Sequence, residues 1–286
     1  ASVETLYVVE ELDPIIETQV RAWGITCHGK DTFPTMGEFS PEVLRSSLGL
    51  SMPASVAAGQ IDVPVRLPGL CAGCPHGHVF DVLRERNLYV SGDIGCYSLG
   101  VLPPYRIMDT LVDMGASITM AHGMDVVLAQ AGQDHGQRAH VSAVIGDSTF
   151  AHSGITGLLN AIWNKRDGLY VVLDNGTTAM TGSQENPLSG ERMGHENSSH
   201  VDYVLLCRAL GMPEENVKVI DGNDRRAITA AIDELSGRPG VKLLAAVGLC
   251  VMEAKELRKT GKLDEKKAWR TLELTVPACE GVTVDA

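Results

Sequence analysis

The sequence predicts an α/β protein: a doubly wound parallel sheet, preceded by the end of another α/β domain. Three observations carry this. From residue 71 onward, short apolar runs alternate with stretches of helical period, the order that a parallel sheet with crossover helices demands. HVSAVIG (140–146) and GLYVVLD (168–174) flank SGITGLLNAIWNK (153–165), and the three read as one βαβ unit. The composition is 44% hydrophobic with 30 glycines and only 5% aromatic residues, which suits many tight turns around an aliphatic core.

In chain order, TLYVVEE (5–11), DPIIETQVRAWG (13–24) and ITCHG (25–29) read as strand, helix and strand. One such unit cannot make its own core, and its apolar faces (Leu6, Val8, Val9; Ile15, Ile16, Val20) need a partner. Residues 1–49 are therefore expected to be the terminal part of a preceding domain. Residues 50–70 carry three prolines, small residues and no period, and read as a linker. Residues 71–286 are expected to be the main domain. It opens with the helix CPHGHVFDVLRERN (74–87), the strand LYVSGD (88–93) and the helix SITMAHGMDVVLAQAG (117–132). The βαβ unit and a loop over 176–200 follow. Then come the helix VDYVLLCRALGM (201–212), the strand VKVID (217–221), the helix RRAITAAIDELS (225–236) and the strand VKLLAAVG (241–248). The segment KELRKTGKLDEKKAWRTLEL (255–274) is charged and reads as solvated.

A net charge of −12 argues against nucleic acid or an anionic membrane as partner. No apolar run reaches the length of a transmembrane span. No targeting peptide is visible, and the protein is expected to be cytoplasmic with reduced thiols.

The most informative motif is Gly146-Asp147-Ser148, then 26 residues, then Asn175-Gly176-Thr177. Each half ends a strand of the βαβ unit, so both short loops fall at the carboxyl edge of a parallel sheet. A helix N-terminus with the small residues Ser148 and Thr149 offers backbone N–H groups to phosphate oxygens. Asp147 and Asn175 offer hard oxygens to a magnesium ion. This spacing is the signature of a thiamine diphosphate site, and it assigns the sheet to the thiamine diphosphate-binding type. The bland alternative is an ordinary dinucleotide-type βαβ unit with an acidic turn.

Seven cysteines form the second feature: Cys27, Cys71, Cys74, Cys96, Cys207, Cys250 and Cys279. Cys71 and Cys74 make a C-x-x-C pair in GLCAGCPHGH, and Cys96 lies in GDIGCYSLG after a strand. The pair in isolation is compatible with zinc, an iron–sulfur cluster or a redox dithiol. The odd count and the length of the chain argue against a disulfide framework.

The stretches RLPGLCAGCPHGHVFDVL, GDIGCYSLG, MGASITMAHGM, AVIGDSTFAHSGITGLLNAIWN and LDNGTTAMTGSQENP together resemble the 2-oxoacid:ferredoxin oxidoreductases, and within them the alpha subunit of indolepyruvate:ferredoxin oxidoreductase. The resemblance is dense over residues 68–190. It departs at Ala72 and Leu249, where that family usually has prolines, and at Gly77, where it has arginine.

The resemblance implies thiamine diphosphate, Mg2+ and a [4Fe–4S] cluster as cofactors, with coenzyme A as co-substrate. Asp147, Asn175 and the Thr177 carbonyl match the magnesium ligands. Ile94, Gly95, Cys96 and Tyr97, then Met114, Gly115, Ala116 and Ser117, match two loops that line the cofactor. Gly146, Ser148, Thr149, Ala179, Met180 and Thr181 match positions beside the diphosphate. Cys71, Cys74 and Cys96 match three cluster ligands. Cys250, after the strand 241–248, is the expected fourth, with Cys207 the competing choice as a buried hydrophobe on a helix. Cys27 and Cys279 read as structural. No catalytic residue is assigned, because in thiamine enzymes the activating carboxylate belongs to the pyrimidine-binding domain.

The implied reaction is oxidative decarboxylation of a 2-oxoacid, an arylpyruvate such as indolepyruvate, to an acyl-CoA, with electrons passing through the cluster to ferredoxin. The implied partner is a second subunit, or further domains, carrying the pyrimidine-binding site. Among the histidines, His76 and His152 lie inside the motifs. His78 and His195 remain acid–base candidates, and His122 reads as a packed helix residue. Lys255, Arg258, Lys259, Lys262, Lys266 and Lys267 could dock an acidic ferredoxin or form a solvated face. Two other readings stay open: a non-redox thiamine decarboxylase or carboligase with structural zinc, and a non-catalytic cofactor-binding subunit.

Overall fold

A computed structural model describes residues 3–52, 64–130, 140–193, 196–199 and 201–263. The chain divides into two compact units, Ala1–Val65 and Arg66–Ala286.

The first unit holds helices α1 (Ile15–Ala22) and α2 (Pro41–Ser47). The two expected strands shrink to one parallel bridge, Tyr7 to His28. Its hydrogen bonds are Val8 N–H to His28 O and His28 N–H to Leu6 O. The helix α1 turns a carboxylate inward: Glu17 is buried, accepts the Lys30 N–H at 2.8 Å, and pairs with Arg21 at 2.7 Å. Ile15 and Ile16 are exposed instead.

In the second unit, α3 (His76–Glu85) leads to β1 (Tyr89–Gly92), a 3-10 turn (Cys96–Val101), β2 (Thr110–Leu111) and α4 (Ala116–Gln130). β3 (Val141–Gly146) runs into α5 (Asp147–Thr149), a π turn (Phe150–Gly154) and α6 (Ile155–Trp163). β4 (Gly168–Asp174) and a 3-10 turn (Ala179–Thr181) precede a small antiparallel pair, β5 (Glu191–Arg192) and β6 (Glu196–Asn197). After α7 (Tyr203–Ala209) come β7 (Val217–Asp221), α8 (Arg225–Ser236), β8 (Val241–Val247) and α9 (Val251–Lys259).

The main sheet has the order β2-β1-β3-β4-β8-β7, and every neighbouring pair is parallel. The doubly wound α/β expectation holds. β4, β7 and α8 match their expected ranges residue for residue. The helix expected over 153–165 starts earlier, at Asp147, because β3 passes directly into helical backbone after an extended Gly146 (φ −82°, ψ 163°). β2, α2 and α9 are additions to the sequence reading. Lys255–Lys259, read as solvated, belong to α9, whose Ala254 and Leu257 are buried.

Period-two alternation feeds two cores. From β4, Tyr170 and Val172 join Ile118, Phe150, Leu158 and Cys207 on the face covered by α4, α6 and α7. Leu169, Val171 and Leu173 join Phe80, Leu83, Ile228 and Ile232 on the face covered by α3 and α8. Each fully buried Val, Leu, Ile or Phe side chain contributes about 1.5–3 kcal/mol, so the central strands anchor the unit. At the amino edge, the buried Lys242 of β8 pairs with Asp167, and Arg166 pairs with Asp125 at 2.7 Å. The carboxyl edge is left to the loops. β1 connects outward to β2 while β3 lies on its other side, so the strand order reverses between β1 and β3, where α/β sheets open a crevice.

Candidate functional site

A cleft of about 90 Å³ opens at that crevice. Four loops build it. Ile94, Gly95, Cys96 and Tyr97 follow β1, and Met114 follows β2. Gly146, Asp147, Ser148 and Thr149 lie at the end of β3, and Asn175, Thr177, Thr178, Ala179, Met180 and Thr181 follow β4. The sequence motif's two halves therefore meet in one cleft.

Asp147 is the first residue of α5, and its carboxylate accepts the Asn186 amide at 3.3 Å. An acidic group there also gains from the helix dipole. The backbone N–H groups of Ser148 and Thr149 fall in the first helical turn, where they have no carbonyl one turn back to bond. Asn175 is held by a local turn: its Oδ1 accepts the Thr177 N–H at 3.2 Å. Asp174, just before it, is buried and accepts both Gly176 N–H (3.0 Å) and the Tyr203 hydroxyl (3.0 Å). Asp147, with its carboxylate, Asn175, with its amide oxygen, and Thr177 line the same cleft, and all three are buried. This hard-oxygen donor set fits a magnesium ion beside a diphosphate.

Met114 lines the cleft, and Gly115, Ala116 and Ser117, which follow it, are not among its lining residues. They form the joint into α4. Fully buried Asp93 receives Ile94 N–H (2.8 Å), Gly115 N–H (2.9 Å) and Ser117 N–H (3.1 Å), clamping the loop after β1 to the start of α4.

The thiols form a second centre on the same edge. The C-x-x-C turn closes through Cys74 N–H to Cys71 O at 3.0 Å. Its Pro75 packs on Gly248, where a Cβ would come within 2.7 Å of it. Cys250 N–H donates to Asn175 O at 3.0 Å, and Gly248 N–H to Asp174 O at 2.8 Å, so the loop after β8 is stitched to the loop after β4. Burial pushes the Cys74 thiol up to about 12, helped by Cys250, Cys71 and Cys96 as nearby negative charges. Cys96 is raised by burial, then by Cys250 and Cys71. Cys71 is exposed and Cys74, Cys96 and Cys250 are half-buried, so four thiols near one another are open to soft metal centres, a donor set that fits an iron–sulfur cluster. Among the described residues no three His, Cys, Asp or Glu side chains are gathered closely enough for a single metal ion. A cubane instead takes one thiolate per iron, which spreads its ligands.

Cys207 is fully buried on α7 in the hydrophobic core. Cys27 is buried in the first unit, and Cys279 lies outside the described residues. His76 is buried against Tyr97, and burial drives its pKa down to about 4, leaving it neutral. His152 is exposed, and His122 is half-buried on α4 with a buried, unpaired Nδ1. His195, Lys266 and Lys267 lie outside the described residues. Asp93 and Asn186 escaped the sequence reading. Both stood inside quoted motifs, GDIG and SQENP, which were the available signal.

An all-parallel sheet with a cleft at its carboxyl edge defines the class. Residues 93–246, more than half of the chain, match the family described as thiamine pyrophosphate enzyme, C-terminal TPP binding domain; the chain belongs to that family. It is 37% identical over 287 residues to the indolepyruvate oxidoreductase subunit IorA of Thermococcus kodakarensis, covering 90% of this chain and 43% of that protein. It is 38% identical over 233 residues to the protein of the same name from Methanothermobacter thermautotrophicus, covering 74% and 36%. The chain thus spans less than half the length of these curated relatives. Among solved structures, a 2-oxoglutarate:ferredoxin oxidoreductase from Magnetococcus marinus matches with a TM-score of 0.51 and 18% identity. That match covers 69% of this chain and 71% of the other, a likeness of fold. Among the described residues no helix is long and apolar enough to cross a membrane.

Proposed function

We propose that the chain is the thiamine diphosphate-binding part of an indolepyruvate-type 2-oxoacid:ferredoxin oxidoreductase. It would turn an arylpyruvate into an acyl-CoA and pass the electrons through a [4Fe–4S] cluster to ferredoxin in the cytoplasm. One observation supports this: the loop after β4 that carries Asn175 and the loop after β8 that carries Cys250 are joined directly, Cys250 N–H to Asn175 O, at the edge where the cleft opens. In this reading residues 71–286 are the binding domain, 1–49 the end of a preceding domain and 50–70 the linker. A second subunit, or further domains, supplies the pyrimidine-side carboxylate.

Asp147, Asn175 and the Thr177 carbonyl hold Mg2+, and the first turn of α5 donates N–H groups to the diphosphate. Ile94, Met114 and Tyr97 exclude water from the inner cleft. Cys71, Cys74, Cys96 and Cys250 hold the cluster. When bound, thiamine diphosphate supplies the electron sink for decarboxylation and the cluster a one-electron relay; the protein's part is orientation and proximity.

The test is anaerobic preparation of the complex with its partner subunit. About four irons with matching acid-labile sulfide per chain are expected, together with arylpyruvate-dependent, thiamine diphosphate-dependent ferredoxin reduction. Cys250→Ser should lose the cluster and Cys207→Ser keep it. Zinc without sulfide would overturn the redox reading.

A further inference from the structure

Tyr97 stands where the two proposed centres meet. It directly follows Cys96 in the 3-10 turn, and its side chain is buried. The hydroxyl donates to Ile94 O at 2.7 Å and lies 3.2 Å from Thr149 Oγ1, across 52 residues of sequence. The ring meets His76 edge-on, with centroids 6.1 Å apart at 74°. His76 lies two residues after Cys74, on the C-x-x-C side. Room for the ring comes from two missing side chains: a Cβ at Gly95 or at Gly146 would fall 2.4 or 2.5 Å from it. Packing alone would be served by phenylalanine. A buried hydroxyl costs stability unless it is bonded, and this one is bonded to both loops.

We propose that Tyr97 is a positioning residue that couples the thiol centre to the diphosphate wall, its hydroxyl tying the Cys96 loop to the Asp147–Thr149 turn. This rests on the function proposed above. A change at either centre moves a loop that the hydroxyl shares, so each centre biases the other. Thermodynamic linkage then makes the bias reciprocal.

The experiment uses the anaerobic complex with its partner subunit, as wild type and as Tyr97→Phe. Thiamine diphosphate affinity, with magnesium present, is measured with the cluster oxidised and then dithionite-reduced. The electron paramagnetic resonance spectrum of the reduced cluster is recorded with and without thiamine diphosphate. In the wild type the two affinities should differ by about five-fold or more, the lower range of typical coupling, and the spectrum should shift on cofactor binding. Tyr97→Phe should keep its iron and its circular dichroism. Its two affinities should agree and its spectrum stay fixed. Thr149→Val removes the other end of the contact and should behave the same way, which covers a Tyr97→Phe protein that does not fold. Wild-type coupling retained in the variants, or none in the wild type, would overturn the proposal. A wild type without iron and sulfide would instead defeat the functional reading itself, and metal analysis detects that before any variant is made.

Discussion

Asp147 is the residue on which the proposed cofactor wall depends. It is buried, it opens α5, and it brings the only full negative charge among the three proposed magnesium donors. Asp147→Ala should weaken magnesium-dependent thiamine diphosphate binding by about 100-fold or more, since even outer partners of a metal ligand cost 10–100-fold. Circular dichroism should stay native, because the side chain supports no core packing. Isothermal titration that finds wild-type affinity would remove Asp147 from the site. Its place in the cleft was legible in the sequence because strand end and spacing put both motif halves at one sheet edge. Asn186 and Asp93 were not. Their partners lie 39 residues away for Asn186 and up to 24 for Asp93, and short-range pattern carries no trace of such pairings. The Tyr97–Thr149 contact was hidden for the same reason.

Among the elements, the joint into α4 is the most constrained. Gly115 sits at φ +93°, and a Cβ there would lie 1.8 Å from Ser153 Oγ, in the π turn after Asp147. The joint thus wedges the Met114 loop against the helical segment that opens with Asp147. Gly115→Ala should lower stability by about 1–3 kcal/mol through backbone strain alone, read as a reduced Tm. It should also weaken thiamine diphosphate binding, because the wedge displaces Met114 or the π turn. An alanine variant with unchanged Tm would show that the joint yields freely. The sheet and its helices were readable because β3, β4, β7 and β8 are short apolar runs between clear breakers. Two features were not. The π turn needs the tertiary setting of fully buried Phe150, and nothing in its sequence marks a five-residue turn. The first unit's strands failed as ladders because each extended segment finds only one bridging partner, Tyr7 or His28, among the described residues.

At the scale of the molecule, the two sheet edges divide the work. The amino edge carries ion pairs such as Lys242–Asp167 and Arg166–Asp125, which hold strands and helices together. The carboxyl edge carries the proposed cofactor wall on loops after β1, β2, β3 and β4, with Cys96 after β1 and Cys250 after β8, while Cys71 and Cys74 precede α3. In the proposed function such a wall would bind the diphosphate end of the cofactor, and its reactive end would be met from elsewhere. The similar proteins are named as a subunit, and this chain spans less than half of their length. On the unit Ala1–Val65, Ile15, Ile16 and Trp23 are 76%, 56% and 68% exposed, apolar surface of the kind that interfaces cover. We therefore expect these 286 residues to bind thiamine diphosphate and magnesium without completing the reaction. Stopped-flow assays of arylpyruvate-dependent ferredoxin reduction should show turnover only after the partner subunit or the remaining domains are added. Fluorescence quenching on cofactor addition should be visible without them. Turnover by the chain on its own, with thiamine diphosphate, magnesium, coenzyme A and ferredoxin supplied, would show that the activating carboxylate lies within it and would move the search to the acidic side chains around the cleft.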